Sequence, residues 1–547
     1  MKNPPAWLKS AVFYQVYPQS FHDSNGDGIG DLPGLIAKLD YIAGLGCNAI
    51  WLNPCFVSPF KDAGYDVSDF YRVDPRYGTN ADLRRLFRES RRKGIRVLLD
   101  LVAGHTSDEH PWFIESSKAE PRRYRNRYIW TRDWLDGVGS GLSLVQGGAE
   151  RNGNYLVNFF ACQPALNYGY ACPDKDKPWQ LPVTHPEAEE TRAELRKIMK
   201  FWLGMGASGF RVDMAASLVK NDPGKRETIR LWRELRTWLE RENPEAILVS
   251  EWGYAPEAVD AGFHADFLLF FGTRAYTTLF RAEPERDIFR HVSPEVFYPN
   301  EEPRARTTRS FFDRAGRGDI CEFLGTFLDH LTRIEGRGYM ALPTGNHDMP
   351  RLSQGRTPEE LAVIFAFIFT MPAIPFIYYG DEIGMQHIED LPSKEGGYTR
   401  TGSRTPMQWD GSAGRGFSEA NPSKFYLPVD TAKGAPQVAA LEQTQGSLLH
   451  TVRALSALRA KHPALAADAE FEPVFAQTKR CPFVYVRRHK SNRIWVALNP
   501  AGKRTSVELP PECAKARVLA GKGRLIEHPQ QPILKMPPFS FWIAETT

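Results

Sequence analysis

Eight short apolar runs, most of them separated by segments with helical spacing, constrain the fold of this chain most strongly. Between the second and third runs, for example, Leu83, Leu86 and Phe87 follow a helical period before the segment ends at Gly94. Eight strands alternating with helices predict a (β/α)8 barrel with insertions. A doubly wound open sheet is the rival, but no glycine fingerprint follows the first strand. The eight runs are Val12–Tyr17, Ala49–Asn53, Ile95–Val102, Phe210–Met214, Ile247–Glu251, Asp266–Phe270, Ala341–Gly345 and Ile374–Tyr379.

Two regions depart from this alternation and predict additional domains. From Gly104 to about Leu181 the chain is rich in Pro, Gly, Asn and aromatic residues, which predicts a small irregular domain inserted after the third strand. Beyond the helical segment Leu448–Lys461, short alternating runs predict an antiparallel β domain. The predicted division is a barrel of residues 1–103 and 182–468, an inserted domain of residues 104–181 and a C-terminal domain of residues 469–547. Two further long excursions are Asp287–Arg317 and Gly396–Phe417.

Acidic residues stand at the ends of several predicted strands. A lone acid after a strand is commonly a helix N-cap, but repetition at successive strand ends favours a catalytic cluster. In a barrel, the carboxyl ends of all the strands meet at one face, so these acids are expected to converge there. The acids are Asp100, Asp213, Glu251 and Asp348, and the basic residues beside them are His105, Arg211, His347 and Arg351.

Clustered carboxyls of this kind suit one reaction in particular. Neighbouring negative charges raise the pKa of one carboxyl, while Arg211 keeps another ionised. Glycoside cleavage needs two carboxyls with opposite protonation states. Metal binding by the same acids is the competing interpretation, and it is less favoured because a guanidinium beside a divalent cation is repelled.

The bulk properties exclude several other functions. The 547 residues carry a net charge of +4 without a concentrated basic stripe, which argues against nucleic acid as a partner. The sequence contains no run of 18 apolar residues, so it predicts no membrane span, and residues 1–18 lack the apolar core of a secretion signal. The seven scattered cysteines fit reduced thiols in a cytoplasm better than a disulfide framework, although Cys162 and Cys172 are close enough in sequence to suggest a bridge.

Taken together and in order, these residues resemble the α-amylase family of glycoside hydrolases. The matching pieces are Asp100 with His105, Gly209–Asp213, Glu251 and Asn346–Asp348. The resemblance implies a (β/α)8 barrel with an inserted domain after strand three, a C-terminal β domain and a retaining mechanism. By position, it implies that Asp213 is the nucleophile, Glu251 the acid/base and Asp348 the third carboxylate. It further implies that Arg211 keeps Asp213 ionised, while Asp100, His105 and His347 hold the same sugar ring.

Other stretches resemble the subgroup of oligo-1,6-glucosidases, α-glucosidases, sucrose isomerases and trehalose synthases. They include Gly64–Asp69, His347–Arg351 and Arg404–Trp409. The resemblance implies that Asp62 and Arg351 close the non-reducing end of the pocket, so that the enzyme acts on terminal glucose. It also implies that Tyr65 is the stacking platform for that glucose.

A further stretch, Asp23–Asp31, predicts a cation site. Oxygen-bearing side chains at alternate positions, loosened by glycines, can wrap a hard cation such as Ca²⁺. The stretch is not an EF-hand, because its twelfth position is Gly34 rather than Glu. Similar loops in the subgroup bind one structural Ca²⁺ or Mg²⁺. The expected ligands are Asp23, Asn25, Asp27, the Ile29 carbonyl and Asp31, with an Asn/Asp/Gly turn without metal as the alternative.

Three positions depart from the family pattern. Gly104 stands where Asn usually precedes the histidine, and Ala165 replaces the Asp of a Gln-Pro-Asp-Leu-Asn stretch. Both changes remove polar groups, so hydrogen bonding near the cleft floor is expected to be rearranged. Met214 follows the implied nucleophile, where the subgroup has small residues or Thr for α-1,4 and Val for α-1,6 preference, which leaves the linkage open.

The leading hypothesis is a retaining, exo-acting α-glucosidase that cleaves short α-glucosides, with some capacity for transglycosylation. The nearest alternative is a glucosyl transferase or disaccharide isomerase on the same scaffold, resembling trehalose synthase or sucrose isomerase. A non-catalytic binding subunit is disfavoured because all three acids are present, and an endo-acting amylase is disfavoured by Asp62 and Arg351. The expected partner is a small α-glucoside, and the protein is expected to be a monomer or homodimer.

Overall fold

A closed barrel of eight parallel strands forms the centre of the protein. The computed structural model describes residues 1–281, 309–526, 528 and 531–546. Each barrel strand pairs with the next barrel strand along the chain, and the last pairs with the first. The predicted (β/α)8 barrel is therefore confirmed. Its strands, numbered together with four short strands of the excursions, are β1 Phe13–Val16, β2 Ala49–Leu52, β5 Arg96–Val102, β8 Gly209–Asp213, β9 Ile247–Ser250, β10 Ala265–Phe267, β11 Tyr339–Pro343 and β12 Ile374–Tyr378, and the short strands are β3 Phe56–Val57, β4 Asp69–Val73, β6 Leu144–Gln146 and β7 Asn154–Leu156.

The barrel interior is a packed core rather than a channel. Phe376 of β12 stacks on Phe13 of β1 at 4.2 Å between ring centroids and contacts Phe267 of β10 at 4.7 Å. Trp51 of β2 lies 5.2 Å from Phe267. Rings from four strands therefore meet inside the barrel, as is typical of this fold. A tight approach of β8 to β9 requires Gly209, which has φ +141° and where a Cβ would lie 2.2 Å from the Ile247 carbonyl oxygen.

Helices cover the outside of the barrel and begin at recognisable caps. Thr79 and Asp82 form a capping box at the start of the helix that follows β4, and Thr357 and Glu360 form another. The helix after the inserted segment has Pro186 in its first turn, where the missing N–H costs nothing. The described helices are α1 Leu32–Ala37, α2 Leu39–Gly44, α3 Asn80–Arg92, α4 Pro111–Ser116, α5 Pro186–Met205, α6 Arg226–Glu242, α7 Ala255–Asp260, α8 Ala275–Phe280, α9 Ile320–Ile334, α10 Pro358–Thr370, α11 Val438–Gln443 and α12 Leu448–Lys461.

The two predicted additions to the barrel are also present. Between β5 and α5 the chain is largely irregular and contains only α4, β6 and β7 as regular elements. Beyond α12, two antiparallel sheets follow. The boundaries at residues 103/104, 181/182 and 468/469 remain predictions. The C-terminal strands are β13 Glu470–Phe475, β14 Phe483–His489, β15 Asn492–Asn499, β16 Thr505–Glu508, β17 Arg517–Gly521, β18 Arg524–Ile526, β19 Ile533–Met536 and β20 Ser540–Thr546. The strand orders of the two sheets are β13-β14-β15-β20-β17 and β16-β19-β18.

Several smaller expectations can be compared directly. The sixth barrel strand is shorter than Asp266–Phe270, because regular pairing ends at Phe267. All seven cysteines are free, so no bridge joins Cys162 to Cys172; the latter thiol is exposed rather than buried. Residues 287–308 of the predicted excursion Asp287–Arg317 lie outside the described residues. Within the described part of the chain, no helix is both long and apolar enough to cross a bilayer.

Candidate active site

The guanidinium of Arg211 is the centre of the candidate site. Side chains alternate along β8, so Arg211 and Asp213 point to the same side of the strand. Arg211 Nη1 lies 2.9 Å from Asp100 Oδ1 and 2.9 Å from Asp213 Oδ1, while Nη2 lies 2.7 Å from Glu251 Oε1. Three of the four predicted acids therefore converge on one fully buried cation at the carboxyl ends of β5, β8 and β9.

Asp213 and Glu251 form a mutually repelling pair of carboxyls. Burial and the neighbouring Glu251 charge raise the pKa of Asp213, and burial, partly offset by Arg211, raises the pKa of Glu251. The pair therefore retains a proton at a pH where an exposed carboxyl has lost it. Glu251 Oε2 also accepts the Met214 backbone N–H at 3.0 Å. Both oxygens of Glu251 therefore have donors, and Asp213 Oδ1 shares the Arg211 guanidinium with it.

Asp348, in contrast to this pair, is held in its ionised form. Its Oδ1 receives Arg400 Nη1 at 2.6 Å and Arg404 Nη2 at 3.1 Å, and His347 Nε2 lies 3.2 Å from Oδ2. Burial opposes ionisation, but His347 and the two arginines outweigh it and hold the pKa of Asp348 well below its usual range. Asp348 is therefore ionised over the whole physiological pH range.

Asp100 and His347 lie beneath the cavity surface rather than on it. Asp100 Oδ2 accepts hydrogen bonds from Trp51 Nε1 at 2.9 Å and from the Tyr65 hydroxyl at 3.0 Å. The imidazole of His347 stacks on the Tyr65 ring, with centroids 5.2 Å apart and planes 7° apart. Their buried contacts position Arg211, Tyr65 and Asp348, so the predicted direct hold of Asp100 and His347 on the sugar is not seen in the cavity lining.

A cavity of about 470 Å³ lies directly above these acids. Of the residues predicted from the sequence, the six that line it are Asp62, Tyr65, His105, Asp213, Glu251 and Asp348. Its remaining wall is mainly apolar, and of the residues in it only Met214 was singled out from the sequence. These lining residues are Phe159, Phe160, Gln163, Met214, Ala216, Ser217, Trp252, Phe270, Phe271, Tyr398, Thr399 and Arg400.

The prediction that Arg351 closes the pocket beside Asp62 is wrong. Arg351 is fully buried, donates to the Tyr379 carbonyl at 2.6 Å and pairs with buried Asp381 at 3.2 Å. Arg400 lies at the predicted place instead, with Nη2 3.8 Å from Asp62 Oδ1 and Nη1 on Asp348. Strand and helix periodicity cannot identify Arg400 as the residue beside Asp62, because Arg400 lies on the irregular excursion Gly396–Phe417. The sequence shows only that a long excursion exists there.

The opposite oxygen of Asp62 contacts the inserted segment. Asp62 Oδ2 accepts Gln163 Nε2 at 2.7 Å. Burial, opposed by Arg400, raises the pKa of Asp62 to about 6. Since Gln163 and the aromatic pair Phe159 and Phe160 come from the inserted segment, that segment forms one wall of the cavity. The expected rearrangement around Gly104 is also visible, because Asn158 Nδ2 occupies the space beside it.

The predicted cation loop carries carboxylate and amide oxygens that accept hydrogen bonds from backbone N–H groups of the same loop. Asp23 Oδ1 accepts the N–H groups of Asn25 and Gly26 at 3.0 and 2.8 Å, and Asp27 Oδ1 accepts that of Ile29 at 2.8 Å. Carboxylate and amide oxygens suit Ca²⁺ or Mg²⁺, but each carboxylate oxygen of Asp23 already accepts two hydrogen bonds. Among the described residues, however, no group of three or more His, Cys, Asp or Glu is arranged for a metal. The cation site stays a prediction.

Asp31 has a structural role in the same loop. Its Oδ1 accepts the Gly34 N–H at 2.6 Å and thereby caps α1, while Oδ2 accepts the Ser24 N–H at 3.0 Å. These contacts join the two ends of the loop to each other and to the first turn of α1.

Barrel, cavity and paired carboxyls together define a glycoside hydrolase. The profile of the alpha amylase catalytic domain matches residues 15–266 and 298–468. The oligo-1,6-glucosidase of Heyndrickxia coagulans is 30% identical over an alignment of 559 positions, gaps included, which covers 92% of this chain and 94% of that protein. The trehalose synthase/amylase TreS of Mycobacterium tuberculosis is 32% identical over 496 residues, which cover 85% and 77% respectively. The chain belongs to the α-amylase family, and the resemblance noted in its sequence is confirmed.

Solved structures agree with this assignment. The trehalulose synthase MutB from Pseudomonas mesoacidophila MX-45 matches with a TM-score of 0.78 and 25% identity, covering 99% of this chain and 100% of that one. The α-glucosyl transfer enzyme XgtA matches with a TM-score of 0.76 and 25% identity, covering 99% of each chain. The relatives thus include a glucosidase, a trehalose synthase/amylase, a trehalulose synthase and an α-glucosyl transfer enzyme.

Proposed function

We propose that this protein is a retaining, exo-acting α-glucosidase that releases terminal glucose from short α-glucosides through a covalent glycosyl-enzyme. The observation that carries the proposal is that Arg211 holds Asp213 and Glu251 on its two terminal nitrogens at the cavity floor. Two carboxyls held by one rigid fork are fixed relative to each other, as the double displacement requires. The Asp62–Arg400 pair beside the same cavity supports recognition of a chain end.

In the proposed first step, Asp213 attacks the anomeric carbon while Glu251 gives its proton to the departing oxygen. A water molecule then gives a proton to Glu251 and its oxygen to the sugar, which restores both carboxyls. The first step therefore needs Asp213 as the carboxylate and Glu251 as the acid, so the proton that the pair retains has to lie on Glu251 when the reaction begins.

A transferase or isomerase is the second candidate, and a specific observation favours it. The cavity wall carries Phe159, Phe160, Phe270, Phe271 and Tyr398, and the first and last of these rings are more than half exposed. Apolar rings of this kind hold the apolar faces of a sugar or aryl group and displace water from the side where the leaving group departs. A retained acceptor, rather than water, would then resolve the glycosyl-enzyme.

The test is a time-resolved product profile on maltose, isomaltose, sucrose and trehalose. Glucose release from at least one disaccharide, lost in Asp213→Asn, supports the α-glucosidase. New disaccharides or trisaccharides without matching free glucose favour the transferase or isomerase. Asp329→Asn is a matched control, because Asp329 is an exposed carboxylate that pairs with Arg333 in its own helix. Equal activity of Asp213→Asn and wild type would refute the assigned nucleophile.

We also propose that the loop Asp23–Asp31 binds a structural Ca²⁺ or Mg²⁺. Its oxygen-bearing side chains at alternate positions support the proposal. Asp23, Asn25, Asp27, the Ile29 carbonyl and Asp31 would hold the ion, whose contribution would be to the stability of the loop rather than to the reaction.

A further inference from the structure

Three hydrogen bonds join four residues, from Lys220 after β8 through Asn158 of the inserted segment to the glucose pocket. Lys220 Nζ lies 3.3 Å from Asn158 Oδ1, and Asn158 Nδ2 lies 3.2 Å from His105 Nδ1. His105 Nε2 in turn lies 3.2 Å from the Tyr65 carbonyl oxygen. His105 and Tyr65 line the cavity, whereas Asn158 and Lys220 lie behind them.

The lysine fixes the direction of every bond in this chain. An ammonium group can only donate, so the Asn158 atom that faces Lys220 must be the amide oxygen. The amide nitrogen therefore faces His105 Nδ1, which must accept. The Tyr65 carbonyl can only accept, so His105 Nε2 must carry the proton. All the donors and acceptors agree on a neutral imidazole protonated at Nε2.

Burial also favours the neutral form of the His105 imidazole. His105 is only 1% exposed, and burial, with a smaller contribution from the Lys220 charge, lowers the pKa of His105 to about 4. Both ring nitrogens are engaged, so the imidazole is fixed in orientation as well as in protonation state.

The absence of a side chain at Gly104 makes room for Asn158. A Cβ on Gly104 would lie 2.6 Å from Asn158 Nδ2, which is closer than real Cβ contacts allow. The same nitrogen lies 3.5 Å from Met214 Sδ, directly after the candidate nucleophile. Two of the departures from the family pattern, Gly104 and Met214, therefore contact the same amide group.

We propose that Asn158 is a positioning residue of the glucose pocket, which holds His105 in its Nε2-protonated form from the space that Gly104 leaves open. The inserted segment, rather than the end of the third barrel strand, thus supplies the polar group at this corner. The proposal rests on the proposed function for its effect on turnover, but the state of His105 can be measured without substrate.

The direct test is the ¹⁵N spectrum of ring-labelled histidine in the full-length protein, assigned with His105→Gln. In wild type we expect the His105 signals of an Nε2-protonated neutral ring. Asn158→Asp replaces the donor with an acceptor of the same size, so we expect a proton on Nδ1. Asn152→Ala is the matched control, because Asn152 is an exposed residue of the same segment. An unchanged His105 spectrum in Asn158→Asp would overturn the proposal.

Turnover and stability separate positioning from a general structural role. We expect Asn158→Ala to lower kcat/KM by about 5- to 30-fold, the loss of one ordinary-to-strong hydrogen bond, with little change in melting temperature. Gly104→Asn should also lose activity, and Gly104→Asn/Asn158→Gly should regain part of it. Loss of activity in Asn158→Ala only in proportion to lost folded protein, or no recovery in the double variant, would contradict the proposal.

The proposed enzyme activity and the proposed role of Asn158 are tested by different experiments, so one can be wrong while the other holds. If wild-type protein releases no glucose and forms no new glycoside from any substrate, the proposed function is wrong. The ¹⁵N comparison of wild type with Asn158→Asp still decides whether Asn158 sets the state of His105.

Discussion

Arg400 takes the place beside Asp62 that was expected for Arg351, and paired substitutions test this reassignment. Arg400→Met removes a 2.6 Å contact to Asp348 and the cation nearest Asp62, in a side chain that is 13% exposed. A hydrogen bond to a charged group contributes about 1.5–3 kcal/mol, which corresponds to about a 10- to 150-fold fall in kcat/KM if the contact persists in the transition state. Arg351→Met instead leaves Asp381 buried without its cation, which costs about 3–5 kcal/mol of folding free energy.

Steady-state kinetics on the preferred α-glucoside and urea unfolding should be measured on both variants. We expect Arg400→Met to lose kcat/KM with a small change in the free energy of unfolding, and Arg351→Met to lose stability first. Arg400→Lys serves as a control for charge, because an ammonium cannot bridge Asp348 and the Gly396 carbonyl as the guanidinium does. A stable Arg351→Met with collapsed kcat/KM, beside a fully active Arg400→Met, would refute the reasoning.

Three further outcomes are expected. Because burial raises the pKa of Asp62 to about 6, kcat/KM should fall below about pH 6 as this carboxylate is protonated, and Asp62→Asn should flatten that limb; an unaltered limb would argue against it. Chelation with EDTA should lower the melting temperature, Ca²⁺ should restore it, and Asp27→Ala should be insensitive to both; identical responses of the variant and wild type would exclude the loop. Phe159→Ala and Tyr398→Ala should reduce kcat/KM for aryl α-glucosides more than for methyl α-glucoside, and equal reductions would count against an apolar acceptor wall.

The parts of the molecule that could be predicted are those with a regular backbone. Period-2 strands and period-3.6 helices repeat along the chain, so the barrel could be recognised from spacing. The same regularity places Asp213 and Glu251 at one face, since the carboxyl ends of parallel strands meet there. Asp348 follows β11 within a few residues and shares this position. Residues fixed by the ends of strands can therefore be assigned from the sequence alone.

Arg400 and Asn158 lie on irregular segments, and for this reason they could not be assigned. Their positions depend on turns without a period, and a cation near the end of a strand, such as Arg351, offers the same local signal as one that reaches the cavity. Here burial decides between them: Arg351 has no exposed surface and its carboxylate partner is equally buried.

The departures from the family pattern carried more information than the matches. Gly104 alone indicates a lost polar group, and Met214 alone indicates an undetermined linkage preference. Only the fold shows that both adjoin Asn158 Nδ2, which would lie 2.6 Å from a Cβ at position 104 and lies 3.5 Å from Met214 Sδ. A residue larger than glycine at 104 therefore requires either a shift of the Asn158 amide or a smaller residue at 158. Positions 104 and 158 are 54 residues apart in sequence, yet they share one space, so a substitution at either position has to be interpreted together with the residue at the other.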